Sequence, residues 1–133
     1  VHIYIENGKV SRIKEEENLP DALRRLGMDL KPVYCGGRKD PWMQEREQWH
    51  SGANFFAIGP GKVLGYGRNI YTMEEMNHHG YEILRAKDIL REKVNLEDYS
   101  KYVIALDGSE LPRGGGGARC MTMPVSRKPL NNA

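Results

Sequence analysis

The sequence predicts a mixed α/β fold built from about two β-β-α-β units. Two segments each contain a pair of β-prone runs around a turn, the first at Asn7-Gly8 and the second at Pro60-Gly61. Each pair is followed by a segment with helical signals and then by another β-prone run. The pattern recurs after roughly 50–60 residues, and no sequence self-similarity accompanies it.

The first unit lies in the N-terminal part of the chain. Its Asn7-Gly8 pair suits a type I′ turn between two strands. Apolar residues recur at helical spacing from Leu19 to Leu26, with Pro20 near the start and Gly27 at the end, as expected for a short amphipathic helix. The predicted elements are strand 2–6, strand 9–13, helix 19–26 and strand 32–35, which is closed by Gly36-Gly37.

The second unit and the strands after it are predicted in the same way. Thr72-x-x-Glu75 has the spacing of a capping box, and Gly80 lies where a glycine ends a helix. A segment from Asp40 to Gln48 has helical character with ambiguous capping, and residues 85–100 are predicted to be a charged, strand-poor, exposed insertion between the units. The predicted strands are 54–59, 62–66, 81–84, 101–106 and 120–125.

Composition bounds the class of protein. The 133 residues suffice for one domain, and the net charge of +2 is spread without a basic stripe, which argues against nucleic acid as a partner. No apolar run approaches about 18 residues, so neither a membrane span nor secretion is predicted. The cysteines Cys35 and Cys120 favour a reducing, cytoplasmic setting. Because the chain opens on Val1 within a strand-like run, we expect a fragment or a processed piece.

Cys120 is the candidate nucleophile. It follows Arg113, the glycines Gly114 to Gly117, Ala118 and Arg119. Glycines allow close approach to a ligand, and the arginines favour a thiolate, although a lone cysteine is more often a small buried apolar residue. A thiolate can attack the carbon of a guanidinium or amidine group, and it then needs an acid/base partner and carboxylates that hold a cationic substrate.

Two stretches resemble arginine deiminases. The run from Gly114 to Arg127 is similar to their C-terminal signature, a glycine-rich loop followed by Arg-Cys-Met-Ser/Thr-Met/Cys-Pro. The other stretch is similar to their Glu-Arg-Glu segment, their Gly-x-Asn and their Pro-Gly-Val-Val-x-Tyr-x-Arg-Asn hairpin. Here it comprises Glu45–Trp49, Gly52–Asn54 and Ala57–Asn69. The resemblance covers residues 34–127, in order.

The resemblance implies hydrolysis of L-arginine to L-citrulline and ammonia with no metal or organic cofactor. It also implies a five-bladed α/β propeller of the pentein type, of which residues 1–133 would be a C-terminal fragment of one catalytic domain. Cys120 matches the family nucleophile, and Arg113, Gly114 and Gly115 are the candidate substrate-binding residues. The family's catalytic histidine lies in a Met-His-Leu-Asp motif that this sequence lacks, so we expect no turnover from this chain alone.

Several alternatives stay open at this stage. The chain could belong to a related guanidine hydrolase or amidinotransferase, or be a non-catalytic arginine-binding remnant. Two propeller units would leave a sheet edge and an apolar face uncovered, which favours association into a homo-oligomer. The remaining polar candidates are predicted to have structural or surface roles. The resemblance implies an ion-pair network for Glu45–Glu47, and Asn54 and Arg68-Asn69 are expected to serve turn geometry or strand ends. His78-His79 are expected at a solvated helix end, Cys35 as a structural cysteine, and His50 in a structural or surface role.

Overall fold

The computed structural model describes residues 1–126, and the chain divides into two compact units, one of residues 1–32 and one that begins at Val33. The fold is mixed α/β, as predicted. Each unit contains its own β-sheet, of two strands in the first and four in the second.

The first unit is an antiparallel hairpin followed by a helix. Strands β1 (His2–Glu6) and β2 (Lys9–Lys14) pair around Asn7 and Gly8, whose φ angles of 51° and 75° are both positive, as a type I′ turn requires. Helix α1 (Leu19–Arg25) begins after Asn18, whose side chain accepts a hydrogen bond from the Asp21 N–H. The predictions of this hairpin and this helix are confirmed.

The second unit contains a four-stranded sheet in the order β3-β4-β6-β5. Strands β3 and β4 are antiparallel, whereas β6 lies parallel to both β4 and β5 and separates them. Its strands are β3 (Phe56–Gly59), β4 (Lys62–Tyr66), β5 (Glu82–Arg85) and β6 (Tyr102–Leu106). Its helices are α2 (Pro41–Trp49), α3 (Ile70–His78) and α4 (Ala86–Leu90), with short 3-10 turns at Leu96–Asp98 and Leu111–Gly114.

Helix α3 covers one face of this sheet and supplies its core. Met73 and Met76 of α3 pack with Val103 of β6, and Phe55, Val63, Tyr81 and Ile83 surround them. The helix ends at His78, and Gly80 follows with a φ of 81°, as predicted for the glycine after a helix. The predicted order β-β-α-β is therefore confirmed for β3, β4, α3 and β5.

Two predicted strands are wrong. Residues 32–35 form no strand, because the Tyr34 carbonyl accepts from the Gly37 N–H in a turn, while the Gly36 N–H donates to the Thr72 hydroxyl. Residues 120–125 form no strand either. The chain turns at 118–121, where the Met121 and Thr122 N–H groups donate to carbonyls three or four residues earlier. In both segments local turns take up the backbone groups that a strand ladder needs.

The start of α3 also differs from the prediction. The helix begins at Ile70, two residues before the expected capping threonine, and Thr72 is buried within its first turn. The predicted insertion at 85–100 is confirmed as free of strands beyond Arg85, and it contains α4 and one 3-10 turn.

Candidate active site

Cys120 lies in a turn at the end of the glycine-rich loop, and its side chain is exposed. The loop leaves the 3-10 turn Leu111–Gly114 through Gly115 and Gly116, whose φ angles are 79° and 93°. Residues with a Cβ are strained at such angles, so glycine is required at both positions. The loop therefore brings the cysteine to the surface along a path that other residues would not follow.

Asn54 contacts Cys120 from the segment that leads into β3. Its Nδ2 lies 2.8 Å from the cysteine Sγ, and its Oδ1 accepts a hydrogen bond of 2.9 Å from the Arg119 N–H. Because a backbone N–H can only donate, the oxygen of the amide must face Arg119. The amide nitrogen consequently faces the sulfur, where it donates.

Glycine is required at position 117 because the loop packs there against the Asn54 side chain. A Cβ placed on Gly117 would lie 2.4 Å from the Asn54 Cβ and 2.6 Å from its Cγ, closer than real side chains approach. A Cβ on Gly116 would lie 3.2 Å from the Cys120 Cβ. Close packing against Asn54 therefore excludes a side chain at Gly117, whereas at Gly116 the positive φ of 93° is the stronger reason for glycine.

The pKa of the Cys120 thiol is lowered from its ordinary value. The largest cause is the hydrogen bond from the Gly117 backbone, followed by that from the Asn54 side chain, and the charge of Arg119 adds to both. The pKa of Cys35 is raised instead, chiefly by burial, and its sulfur lies 3.5 Å from the oxygen of the Thr72 hydroxyl, whose single proton goes to Glu47. Of the two free cysteines, the exposed Cys120 is therefore the better nucleophile.

A cleft of about 630 Å³ begins at Arg119, the residue before Cys120. Phe55, Phe56 and Ala57 line it together with residues 122–126. One guanidinium nitrogen of Arg119 lies 3.4 Å from the Thr122 carbonyl oxygen and 3.5 Å from its hydroxyl. Cys120 itself is not among the residues that line this cleft.

The candidate substrate-binding residues lie at the start of the loop. Arg113 is exposed and forms an ion pair of 2.9 Å with Glu110, while Gly114 has open space around it. The hydrogen bonds and ion pairs of residues 1–126 include none between Arg113 and Cys120. The structure therefore brings together Cys120, Asn54 and Gly117, and their relation to Arg113, Gly114 and Gly115 stays a prediction.

Glu47 binds the start of helix α3 through its buried carboxylate. Its side chain is fully buried, Oε1 accepts from the Tyr71 N–H at 3.1 Å, and Oε2 accepts from the Thr72 N–H and hydroxyl at 2.8 and 2.7 Å. The carboxylate thus caps α3, a role that the capping-box prediction gave to Thr72 and Glu75. The expectation that Glu45–Glu47 form an ion-pair network is wrong, since Glu47 binds backbone and hydroxyl donors.

Asn54 is the site residue that sequence reasoning missed. It was expected to serve turn geometry, yet it contacts a residue 66 positions later. The Gly-x-Asn within the stretch that resembles arginine deiminases was the available signal.

Among residues 1–126, no group of three or more His, Cys, Asp or Glu side chains could hold a metal ion. The same stretch has no helix of the length and apolar character that crossing a bilayer demands.

The fold and the site define the class of this chain: it is a mixed α/β protein with an exposed thiol, whose pKa is lowered, at the end of a glycine-rich loop. The family model described as arginine deiminase matches residues 3–127, and the chain belongs to the arginine deiminase family. The arginine deiminase of Levilactobacillus brevis is 38% identical over 112 residues, which is 84% of this chain and 22% of that protein.

Two further relatives agree. The arginine deiminase of Oenococcus oeni is 32% identical over 120 residues, covering 90% of this chain and 24% of that protein. The arginine deiminase of Mycobacterium tuberculosis is 36% identical over 110 residues, covering 82% and 22%. The matched region thus spans less than a quarter of each relative.

Proposed function

We propose that this chain supplies the nucleophile of an arginine deiminase, which hydrolyses L-arginine to L-citrulline and ammonia. The observation that carries the proposal is the exposed Cys120 thiol, whose pKa is lowered by Gly117 and Asn54, in a chain of this family. The names of the three relatives support arginine as the substrate.

The proposed reaction has two stages. The Cys120 thiolate attacks the guanidinium carbon of arginine, and a C–S bond forms while a C–N bond breaks. The leaving nitrogen takes a proton and departs as ammonia, which leaves an amidino group on the sulfur. Water then attacks the same carbon, a C–O bond forms, the C–S bond breaks, and citrulline leaves with the thiolate restored.

The lowered pKa of Cys120 contributes to the first stage. Only the thiolate attacks, so a lowered pKa increases the reactive fraction near neutral pH. The proton for ammonia and the activation of water need an acid/base group, which the family resemblance assigns to a histidine motif that this sequence lacks. We therefore propose that the chain alone has no turnover.

We propose that residues 1–133 are the C-terminal part of one catalytic α/β propeller, of which the chain forms about two of five units. The coverage of 22–24% of the relatives supports a partial domain. Arg113, Gly114 and Gly115 would hold the amino-acid end of the substrate, and Arg113 would then exchange Glu110 for the substrate carboxylate.

We also propose a cytoplasmic location and assembly into a homo-oligomer. Both cysteines are free, which supports a reducing cytoplasm. Large apolar side chains such as Ile5, Trp42 and Trp49 are exposed in this chain, and we propose that the rest of the propeller or a second copy in a homo-oligomer covers them.

A chimera tests the function. This chain replaces the 112-residue region that it matches in the Levilactobacillus brevis enzyme, and citrulline is measured after addition of arginine. We expect citrulline from the chimera, none from the 133-residue chain alone, none from a Cys120→Ser chimera, and full activity from a Cys35→Ser chimera. Citrulline from the Cys120→Ser chimera, or none from a folded chimera with Cys120 intact, would contradict the proposal.

A further inference from the structure

We propose that Asn54 is the positioning residue of the nucleophile: its side-chain amide clamps the Cys120 turn and donates a hydrogen bond to the sulfur. This inference deepens the proposed function and rests on it. It assigns a specific task to the Gly-x-Asn segment, which lies 66 residues before the cysteine.

The clamp has two ends. Oδ1 of Asn54 accepts from the Arg119 N–H and Nδ2 donates to the Cys120 sulfur, so one planar group fixes two consecutive residues of the turn. Gly117 packs directly against the Asn54 side chain, where no larger residue fits. The sulfur therefore has a defined position relative to β3 before any ligand binds.

The backbone that carries Asn54 is itself held in place. The Asn54 N–H donates to the Ser51 carbonyl at 3.1 Å, and the Gly52 N–H donates to the Glu47 carbonyl at 2.8 Å. The next residue, Phe55, packs on the hydrophobic core, and its ring occupies the space beside Gly65 that a Cβ would take. Asn54 is thus anchored between a tight turn and the core, as precise positioning of a reacting atom requires.

An amide suits this position for an electrostatic reason. A lysine or arginine in its place would also stabilise a thiolate, but it would add a second cation to Arg119 beside the sulfur that a guanidinium substrate approaches. The neutral Asn54 amide stabilises the thiolate without that second cation. The neighbouring cation, Arg119, has a guanidinium nitrogen near the Thr122 carbonyl and hydroxyl oxygens.

Alkylation of the 133-residue chain by iodoacetamide tests the inference and needs no arginine. The rate at each cysteine is followed by peptide mass spectrometry across a pH range around the usual thiol pKa of about 8.5. The variants are Asn54→Asp, which puts a carboxylate beside the sulfur, Asn54→Ala, which removes the donor, and the control Asn77→Ala, an exposed asparagine of α3.

We expect Asn54→Asp to raise the midpoint of Cys120 alkylation by about one pH unit, which is about a tenfold slower reaction near neutral pH. Asn54→Ala should raise the midpoint less, and Asn77→Ala should leave it unchanged. Cys35 in the same molecule reports on the fold and should keep its slow rate. Wild-type midpoints in both Asn54 variants, with Cys35 unchanged, would overturn the inference.

A second measurement uses the wild-type side chain. The 15N resonance of the Asn54 amide should titrate with the midpoint found for Cys120, and it should lose that titration in Cys120→Ser. An Asn54 15N chemical shift that does not change as Cys120 ionises would overturn the inference, even if the Asn54 variants fail to fold. Either result stands apart from the citrulline assay, so the positioning role and the proposed function can fail separately.

Discussion

Substitution of Glu47 by glutamine tests whether its buried carboxylate caps the start of helix α3. Glutamine has nearly the same shape, but one carboxylate oxygen becomes an NH₂ group that cannot accept from the donors of Tyr71 or Thr72. Glu47 is 0% exposed, so water cannot replace the lost acceptor. Hydrogen bonds to charged groups contribute about 1.5–3 kcal/mol, and a buried unsatisfied donor costs about 1–3 kcal/mol. We expect the first turn of α3 to lose about 2–4 kcal/mol.

Amide hydrogen exchange at Tyr71 and Thr72 measures this loss directly. Each 1.4 kcal/mol corresponds to about a tenfold change, so exchange should accelerate by about 30-fold to about 700-fold in Glu47→Gln. The matched control is Glu45→Gln, an exposed position on the same helix, where a change of no more than about twofold is expected.

Equal exchange in the two variants would refute the capping role of Glu47. It would mean that the N–H groups of α3 do not depend on the buried carboxylate. The start of α3 would then need another explanation, since Asn69 makes no side-chain capping bond.

Two further predictions concern glycine packing and an ion pair. Gly117→Ala places a Cβ 2.4 Å from that of Asn54, so we expect slower Cys120 alkylation and a free energy of unfolding lower by about 1–3 kcal/mol. The control Gly59→Ala, whose Cβ would have its nearest atom at 3.8 Å, should change neither quantity. Equal alkylation rates in the two variants would contradict this prediction. The hydrogen bond from Arg38 lowers the pKa of Glu75 below 4.5, so the pair stabilises the fold above that pH and its contribution is lost as pH falls through the folded pKa. Urea unfolding at several pH values should show wild type and Arg38→Gln converging in acid, and a pH-independent difference would contradict the assignment.

The sequence predicted the elements whose signals are local. The Asn7-Gly8 turn and the glycines after two helices were placed correctly, because positive φ angles restrict the residue type at those positions. The hairpin of β3 and β4 followed from β-prone runs around Pro60-Gly61. Each of these features depends on a few adjacent residues.

Features that depend on distant partners were missed. The cap of α3 comes from Glu47, 25 residues before Thr72, so the local Thr-x-x-Glu spacing gave the wrong start. Nothing in the chain order shows that β6 lies between β4 and β5. The expected strand at 120–125 is apolar enough, but its backbone groups form turn hydrogen bonds among residues 117–122.

The candidate site was predicted in part. Cys120 was selected from the glycine-rich loop before it and from the resemblance to arginine deiminases, and its role as the nucleophile stays a prediction. Asn54 was not, because its contact joins residues 66 positions apart.

The most direct test of the central claim is the mass of the Cys120 peptide after rapid acid quenching of the chimera during turnover of arginine. The proposed mechanism predicts a peptide heavier by the mass of arginine minus ammonia, on Cys120 and not on Cys35. The adduct should be missing from Cys120→Ser. Citrulline formation with no adduct on Cys120, or an adduct on Cys35 instead, would contradict the assignment of Cys120 as the nucleophile.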